Sequence, residues 1–242
     1  ACISAHVAAS QANGADVHTR ERLIAWEPRG SGVHIITDRG QYYSDRLICS
    51  AGAWISKIVT LLRGITIPER QVIAWFQPQR PEYFTIGNFP VFNLLVKEGG
   101  YYGFPIAELP GFKVGRYHHR QEVADPDHLN RECRAEDESL LRDFGQRYFP
   151  DANGPTLRMQ CCLFTNTPDE HFILDVHPEW PQVIVASPCS GHGFKFASVI
   201  GEILADLAER GETTHDISLH RFSRFSARGS SQPLAAEPPG NP

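Results

Sequence analysis

The stretch Ala186–Phe196, ASPCSGHGFKF, constrains this chain more than any other. An apolar run is broken by Pro188 and two glycines, Gly191 and Gly193. Phe196, Val199, Ile200, Ile203, Leu204 and Leu207 then recur at helical spacing. The pattern predicts a strand, a tight turn and a helix from about Lys195 to Arg210, stopped by Gly211. At the start of such a helix the N–H groups of Gly191, His192 and Gly193 lack intrahelical partners, and the helix dipole adds positive potential. An electron-rich group is favoured there. Lys195 in the first turn opposes that dipole, at a cost of roughly a few tenths of a kcal/mol, which points to something negative nearby.

With 242 residues, 41% of them hydrophobic, the chain can bury one large core or two small ones. A net charge of −5 with both signs interspersed gives no basic footprint, which argues against nucleic acid and anionic membrane as partners. Small molecules are expected instead. No apolar run reaches the roughly 18 residues of a membrane span, and the start lacks the basic and apolar regions of a signal peptide, so a cytoplasmic protein is expected. The cysteines at 2, 49, 133, 161, 162 and 189 show no disulfide-framework spacing and are expected to stay thiols.

Along the chain, Ile3–Ala9 suits a helix and Ala15–His18 a short strand. Leu23–Trp26, Val33–Ile36 and Gln41–Tyr43, separated by Gly-rich turns, read as a three-stranded meander. Arg46–Ser50 reads as a buried strand that turns at Gly52 into a helix over Trp54–Leu62, where a ligand could approach the backbone. Gln71–Phe76, Phe84–Ile86, Phe92–Val96, Tyr101–Phe104 and Lys113–Tyr117 read as an antiparallel, aromatic-rich sheet, followed by a peripheral helix over Glu136–Phe149. From Ser226 onward the Ser, Pro, Gly and Ala tail is expected to be disordered.

Cys161 and Cys162 lie in a predicted strand, so they face opposite sides. His118, His119 and His128 offer no metal spacing, and adjacent histidines in a strand diverge, so no metal is expected. Cys189 with His192 lacks one of the two glycines of a nucleophile elbow.

The segments SGHGFKF, QCCLFTNTPDEHFILD (Gln160–Asp175), FKVGRYHH (Phe112–His119), YYGFP (Tyr101–Pro105) and LICSAGAW (Leu47–Trp54) together closely resemble the C-terminal region of the monomeric sarcosine oxidase and N-methyltryptophan oxidase family. The resemblance covers residues 1–225. It implies an α+β or α/β fold: part of a Rossmann-like FAD domain plus an antiparallel-sheet substrate domain, as in glutathione-reductase-like flavoproteins of the D-amino-acid and sarcosine oxidase type. The implied division is 1–65 and 151–225 for the FAD domain, 66–150 for the substrate domain and 226–242 for the tail.

The resemblance also implies roles. Cys162, two residues before the aromatic-Thr pair Phe164-Thr165, would link FAD covalently, with Thr165 as a flavin contact. Gly52, Gly191, His192, Gly193 and Phe194 would border the cofactor. Lys195 would bind the substrate carboxylate, and Tyr102 would line the substrate pocket. Lys113, in a match to the family's KxGYH segment with one residue inserted before the histidine, would promote the reaction with oxygen. His118 would be the neighbouring active-site histidine. The implied reaction is oxidation of a secondary, N-methyl amino acid by FAD and oxygen to an imine and hydrogen peroxide, in a protein that is monomeric when complete. A G-x-G-x-x-G fingerprint is missing, since Gly30-Ser31-Gly32 sits between strands. That absence, with Ala1 in place of Met, suggests an N-terminally incomplete chain that is inactive and binds no FAD alone. A non-catalytic remnant that binds amino-acid-like anions or a partner chain, and a dehydrogenase using another electron acceptor, are the competing readings.

Overall fold

A computed structural model describes residues 1–107 and 109–226. The expectation for the tail therefore lies, from residue 227 on, outside the described residues. Helix α1 (Cys2–Ala12) is longer than its periodicity suggested and buries none of its side chains. Its alanines sustain it by propensity. The strand expected at 15–18 does not form. The His18 ring is instead held between Asp16 (3.0 Å) and Glu21 (2.7 Å), and the segment pairs with no neighbour.

The meander forms as read: β1 (Leu23–Arg29), β2 (Gly32–Thr37) and β3 (Gln41–Ser44) pair antiparallel in that order. Strand β4 (Leu47–Cys49) follows. After it, the helix expected over Trp54–Leu62 is broken into a 3₁₀ turn Gly52–Trp54, the single turn α2 (Ile55–Ile58) and a second 3₁₀ turn Thr60–Leu62. Val59 between them is extended, with φ −109° and ψ 98°. β-Branched Ile58, Val59 and Thr60 are poor helix formers, and burial of Ile55, Val59 and Leu62 matters more here than helical continuity.

The largest sheet has the order β10-β5-β8-β7-β6, with β9 also on β5. Its strands are β5 (Ile67–Phe76), β6 (Phe92–Val96), β7 (Gly99–Phe104), β8 (Phe112–Arg116), β9 (Glu122–Val123) and β10 (Thr156–Asn166). It thus draws on both sides of residue 150. Phe84, expected in a strand, ends a 3₁₀ turn that begins at Pro81, whose fixed φ suits the start of such a turn. Only Thr85 makes a bridge, to Ile106.

One face of this sheet carries Ala74, Phe76, Tyr101, Phe112 and Val114 and is covered by α3 (Ala135–Tyr148). Leu141 and Phe144 of α3 are buried there, with the Tyr101 and Phe144 rings stacked at 3.9 Å. The helix expected to be peripheral is therefore half of a core. The other face carries Asn93, Tyr102, Gly115, Ile73 and Gln160 along one ladder, with Lys113 opposite Trp75 and Cys162 opposite Gln71 in neighbouring rows.

A third sheet is β11 (Ile173–Val176), β12 (Val183–Ser187) and β4, with β12 antiparallel to β11 and parallel to β4. Every residue of β12 is buried. Ile184 and Ala186 pack under Ile200, Ile203, Leu204 and Leu207 of α4 (Ala197–Arg210). Val183 and Val185 pack on Ile55, Val59 and Leu62. Gly211, at φ 77°, stops α4 as its position predicted. A last turn, α5 (Ser223–Ser226), follows. This mixed helix and antiparallel-sheet architecture is the α+β class anticipated, and no helix of the described residues is long and apolar enough to cross a membrane.

Candidate functional site

Because β4 and β12 are parallel neighbours, with Cys49 opposite Val185, the turn at Gly52 and the turn at Ser190–Gly193 leave the same end of the sheet. Ligands of α/β sheets bind at that carboxyl edge. Gly52 has φ +53° and open space where a Cβ would stand, so the left-handed backbone favours glycine there and nothing crowds it.

The second turn takes two successive left-handed residues, Ser190 (φ 49°) and Gly191 (φ 75°). It is pinned to the end of β10: Ser190 N–H donates to the Thr165 carbonyl (2.9 Å), and Thr167 N–H donates to Ser190 Oγ (3.3 Å). A Cβ on Gly193 would stand 1.6 Å from the Pro188 carbonyl oxygen, so no other residue fits. No side chain caps the helix that follows, and among the described residues the N–H groups of Gly191, Gly193 and Phe194 make no hydrogen bond. His192 is tied into the turn, its Nδ1–H donating to the Ser190 carbonyl (2.8 Å) and its ring stacked on Phe172 at 4.7 Å. Phe194 and Lys195 are exposed. Among the described residues no carboxylate pairs with Lys195, whose Nζ lies 5.4 Å from the Phe196 ring centre.

The open sheet face meets this turn through Phe164. A Cβ on Gly191 would touch the Phe164 ring at 2.4 Å, and that ring lies 6.4 Å from Tyr117. Tyr117 in turn lies 4.9 Å from Tyr102, and its hydroxyl donates to Asn93 Oδ1 (2.9 Å). Tyr102, Lys113 and Cys162 share this face by register. The β7–β8 ladder runs without a shift from Phe104–Lys113 to Tyr101–Arg116. The extra residue before His118 is therefore taken up beyond the strand, where His118 adopts φ 51°. Lys113 Nζ lies over the Trp75 (5.3 Å) and Phe104 (4.9 Å) rings.

Burial pushes the Cys162 thiol up to about 11, against the opposing pull of Lys113. Burial also raises the Tyr102 hydroxyl well above its ordinary value, so both groups carry their protons near neutrality. Cys161 faces the opposite side, 6% exposed, with its Sγ 3.7 Å from the Asn130 carbonyl. Thr165 follows on the same strand. By alternation it shares the side of Cys161 rather than that of Cys162, and it reaches the glycine turn through its carbonyl instead of its hydroxyl.

His118 and His119 point apart. His119 is fully buried against Asp137 (3.0 Å), whereas His118 lies between Glu69 (3.0 Å) and Glu170 (2.8 Å). Among the described residues no cluster of His, Cys, Asp and Glu is placed to hold a metal. Glu69, Asn166, Glu170, Tyr117 and Phe164 as a contact were not read from sequence. The signal for the first was present: Glu69-Arg70-Gln71 is a polar triplet inside the otherwise apolar run of β5.

A family model described as FAD dependent oxidoreductase (DAO) matches residues 2–207. The chain belongs to that family. It is 43% identical over 235 residues to the monomeric sarcosine oxidase of Bacillus sp. (strain B-0618), covering 96% of this chain and 60% of that protein. It is 36% identical over 198 residues to the N-methyl-L-tryptophan oxidase of Salmonella enteritidis, covering 81% of this chain and 52% of that one. Among solved structures, NikD, an amino acid oxidase of nikkomycin biosynthesis, superposes with a TM-score of 0.72 at 23% identity over 89% of this chain and 57% of that one, a likeness of fold. The chain spans 60% or less of the length of these relatives.

The residues present fit the cofactor that the family implies. The free N–H groups at Gly191 and Gly193, the open space at Gly52 and the Cys162 thiol border one carboxyl edge and one sheet face. The electron-rich edge of a flavin suits the first, and its apolar rings suit the aromatic sheet face.

Proposed function

We propose that this chain is the substrate-binding and flavin-contacting part of an FAD-dependent oxidase of secondary, N-methyl amino acids such as sarcosine or N-methyltryptophan, releasing an imine and hydrogen peroxide. The observation that carries the reading is the common face of Cys162, Tyr102 and Lys113, joined through Phe164 to an uncapped glycine turn. We read residues 1–65 and 151–225 as the flavin side and 66–150 as the substrate side of a cytoplasmic monomer, with β10 as the strand by which the flavin side joins the substrate sheet.

The chemistry supplied by bound FAD is acceptance of two electrons. Gly52, Gly191, His192, Gly193 and Phe194 would border it, and Cys162 would hold it by a thioether. Because burial keeps that thiol protonated, the positive charges of Lys113 and Arg131 are what favour the thiolate. Lys195, exposed and without a carboxylate partner among the described residues, holds the substrate carboxylate. Tyr102 keeps its proton and donates to a polar atom of the substrate while its ring excludes water. Lys113 presents a fixed positive charge where negative charge develops on oxygen.

The test uses the protein expressed from its full open reading frame, with a flavin spectrum before and after acid precipitation. Yellow colour that stays in the pellet and is lost in Cys162→Ser supports a covalent link. Colour released to the supernatant removes the link alone. A colourless protein that fails to take up added FAD removes the oxidase reading.

A further inference from the structure

We propose that Glu69 is a positioning residue of this site, holding His118 as a fixed imidazolium whose second N–H, resting on Glu170, is released to an anionic group of the substrate. Only the last clause rests on the oxidase reading.

The geometry is specific about protons. His118 Nδ1 lies 3.0 Å from Glu69 Oε2, and Nε2 lies 2.8 Å from Glu170 Oε1. Ionised carboxylates accept and do not donate, so both ring nitrogens must carry hydrogen, and the ring is a cation. A histidine in this state is a charge and a donor, not a proton acceptor. Burial opposes the charge, but the Glu69 hydrogen bond outweighs it and Glu170 adds to it, raising the ring to about 9.

The two carboxylates differ in permanence. Glu69 is 8% exposed and accepts from three donors: Gln71 Nε2 (2.6 Å), His118 Nδ1 (3.0 Å) and Asn166 Nδ2 (3.0 Å). Gln71 is itself fixed, because its Oε1 accepts the His119 N–H (3.2 Å). Glu170 stands on the turn after β10 at φ 59°, its side chain is 61% exposed, and among the described residues its carboxylate meets only His118. A solvent-exposed ion pair of this kind is worth little and exchanges readily. The groups facing His118 are thus Glu69 from β5, Asn166 from β10 and Glu170 from the turn, the last of which also acts on the Tyr117 hydroxyl. The left-handed backbone at His118 places the ring there, at the end of the sheet face that carries Cys162.

The experiment is an NMR titration of the His118 ring in the full chain, assigned with His118→Gln and repeated in Glu69→Gln, Glu69→Asp and Glu170→Gln, with acetate as the anion probe. His118 should titrate near 9 in the native protein. In Glu69→Gln it should fall back towards the ordinary value near 6.5, a loss of at least about tenfold in proton affinity, while Glu69→Asp should keep most of the shift. Acetate should perturb the His118 ring at lower concentration in Glu170→Gln than in the native protein. A native titration near 6.5 overturns the proposal whether or not any variant folds. So does an unmoved titration in a folded Glu69→Gln. Equal acetate sensitivity with and without Glu170 overturns the exchange step. None of these readings needs flavin, so a protein without FAD would remove the oxidase reading and leave this one standing.

Discussion

The ring of Tyr102 lies across β8 at Gly115, where a Cβ would stand 2.5 Å from Tyr102 Cζ and Oη. The absent side chain is what lets the tyrosine cross from its own strand towards Cys162, whose charge it would feel. Gly115→Ala should therefore displace the ring and destabilise the sheet by about 1–3 kcal/mol, the usual cost of overpacking. Urea unfolding measures the stability, and a raised KM is expected if Tyr102 lines the substrate pocket as proposed. Tyr102→Phe is the control for packing. Since the Tyr102 hydroxyl makes no hydrogen bond among the described residues, stability should change by less than about 0.5 kcal/mol while turnover falls.

Arg70 and Asp137 form a buried two-pronged pair (3.0 and 2.8 Å), with His119 bound to the same carboxylate. The pair ties β5, next to the site, to the first turn of α3, where Asp137 also accepts the Arg134 N–H (2.8 Å). Asp137→Ala leaves the buried Arg70 with the more distant Glu122 carboxylate (3.7 Å) in place of its two-pronged partner, and should cost about 3–5 kcal/mol by urea unfolding. Arg70→Met with Asp137→Leu together should cost less than either alone.

The same carboxylate sets an acid limit. Burial alone would raise the Asp137 carboxyl, but the Arg70, Arg134 and His119 hydrogen bonds hold it well below the usual range. A depressed folded-state value contributes stability above the unfolded value, near 3.9, and loses it progressively as pH falls below that. Melting temperature should therefore drop steeply below about pH 4 in the native protein, and the slope should be shallower in the Arg70→Met, Asp137→Leu double variant.

Much of the fold was legible because single elements carried unambiguous patterns. The apolar stripe from Phe196 to Leu207 with Gly211 beyond it is helix α4, and the glycine-punctuated runs after Leu23 are the meander. What failed was anything decided by neighbours. Trp54–Leu62 has helical spacing, yet Val59 is extended because Val59 and Leu62 are drawn into the core beneath β12. Phe84 looked like a strand residue, and Pro81 made it the end of a turn. α3 looked peripheral because its acids dominate the sequence, but Leu141 and Phe144 close the main core. In the candidate site, Tyr102, Lys113 and Cys162 were singled out by motif, and their common face follows from strand parity. Thr165 lies on the opposite side by that same parity, and Glu69 and Glu170 meet His118 from 49 and 52 residues away, across turns that no local pattern encodes.

Lys113 separates an oxidase from a dehydrogenase. Its ammonium lies over Trp75 and Phe104 on the face of Cys162, with no carboxylate partner among the described residues, so its charge is free to stabilise an anion. Lys113→Met keeps the length and the aromatic contact while deleting the charge, and should leave stability within about 0.5 kcal/mol. If the charge serves oxygen, turnover with oxygen should fall by at least about a hundredfold, as when one preorganised electrostatic group is lost, while turnover with an artificial electron acceptor is retained. The two rates are read on one preparation of the flavin-loaded, full-length protein. Equal retention of both would assign the native electrons to another carrier, and equal loss of both would move Lys113 from the oxygen step to the binding of substrate or flavin.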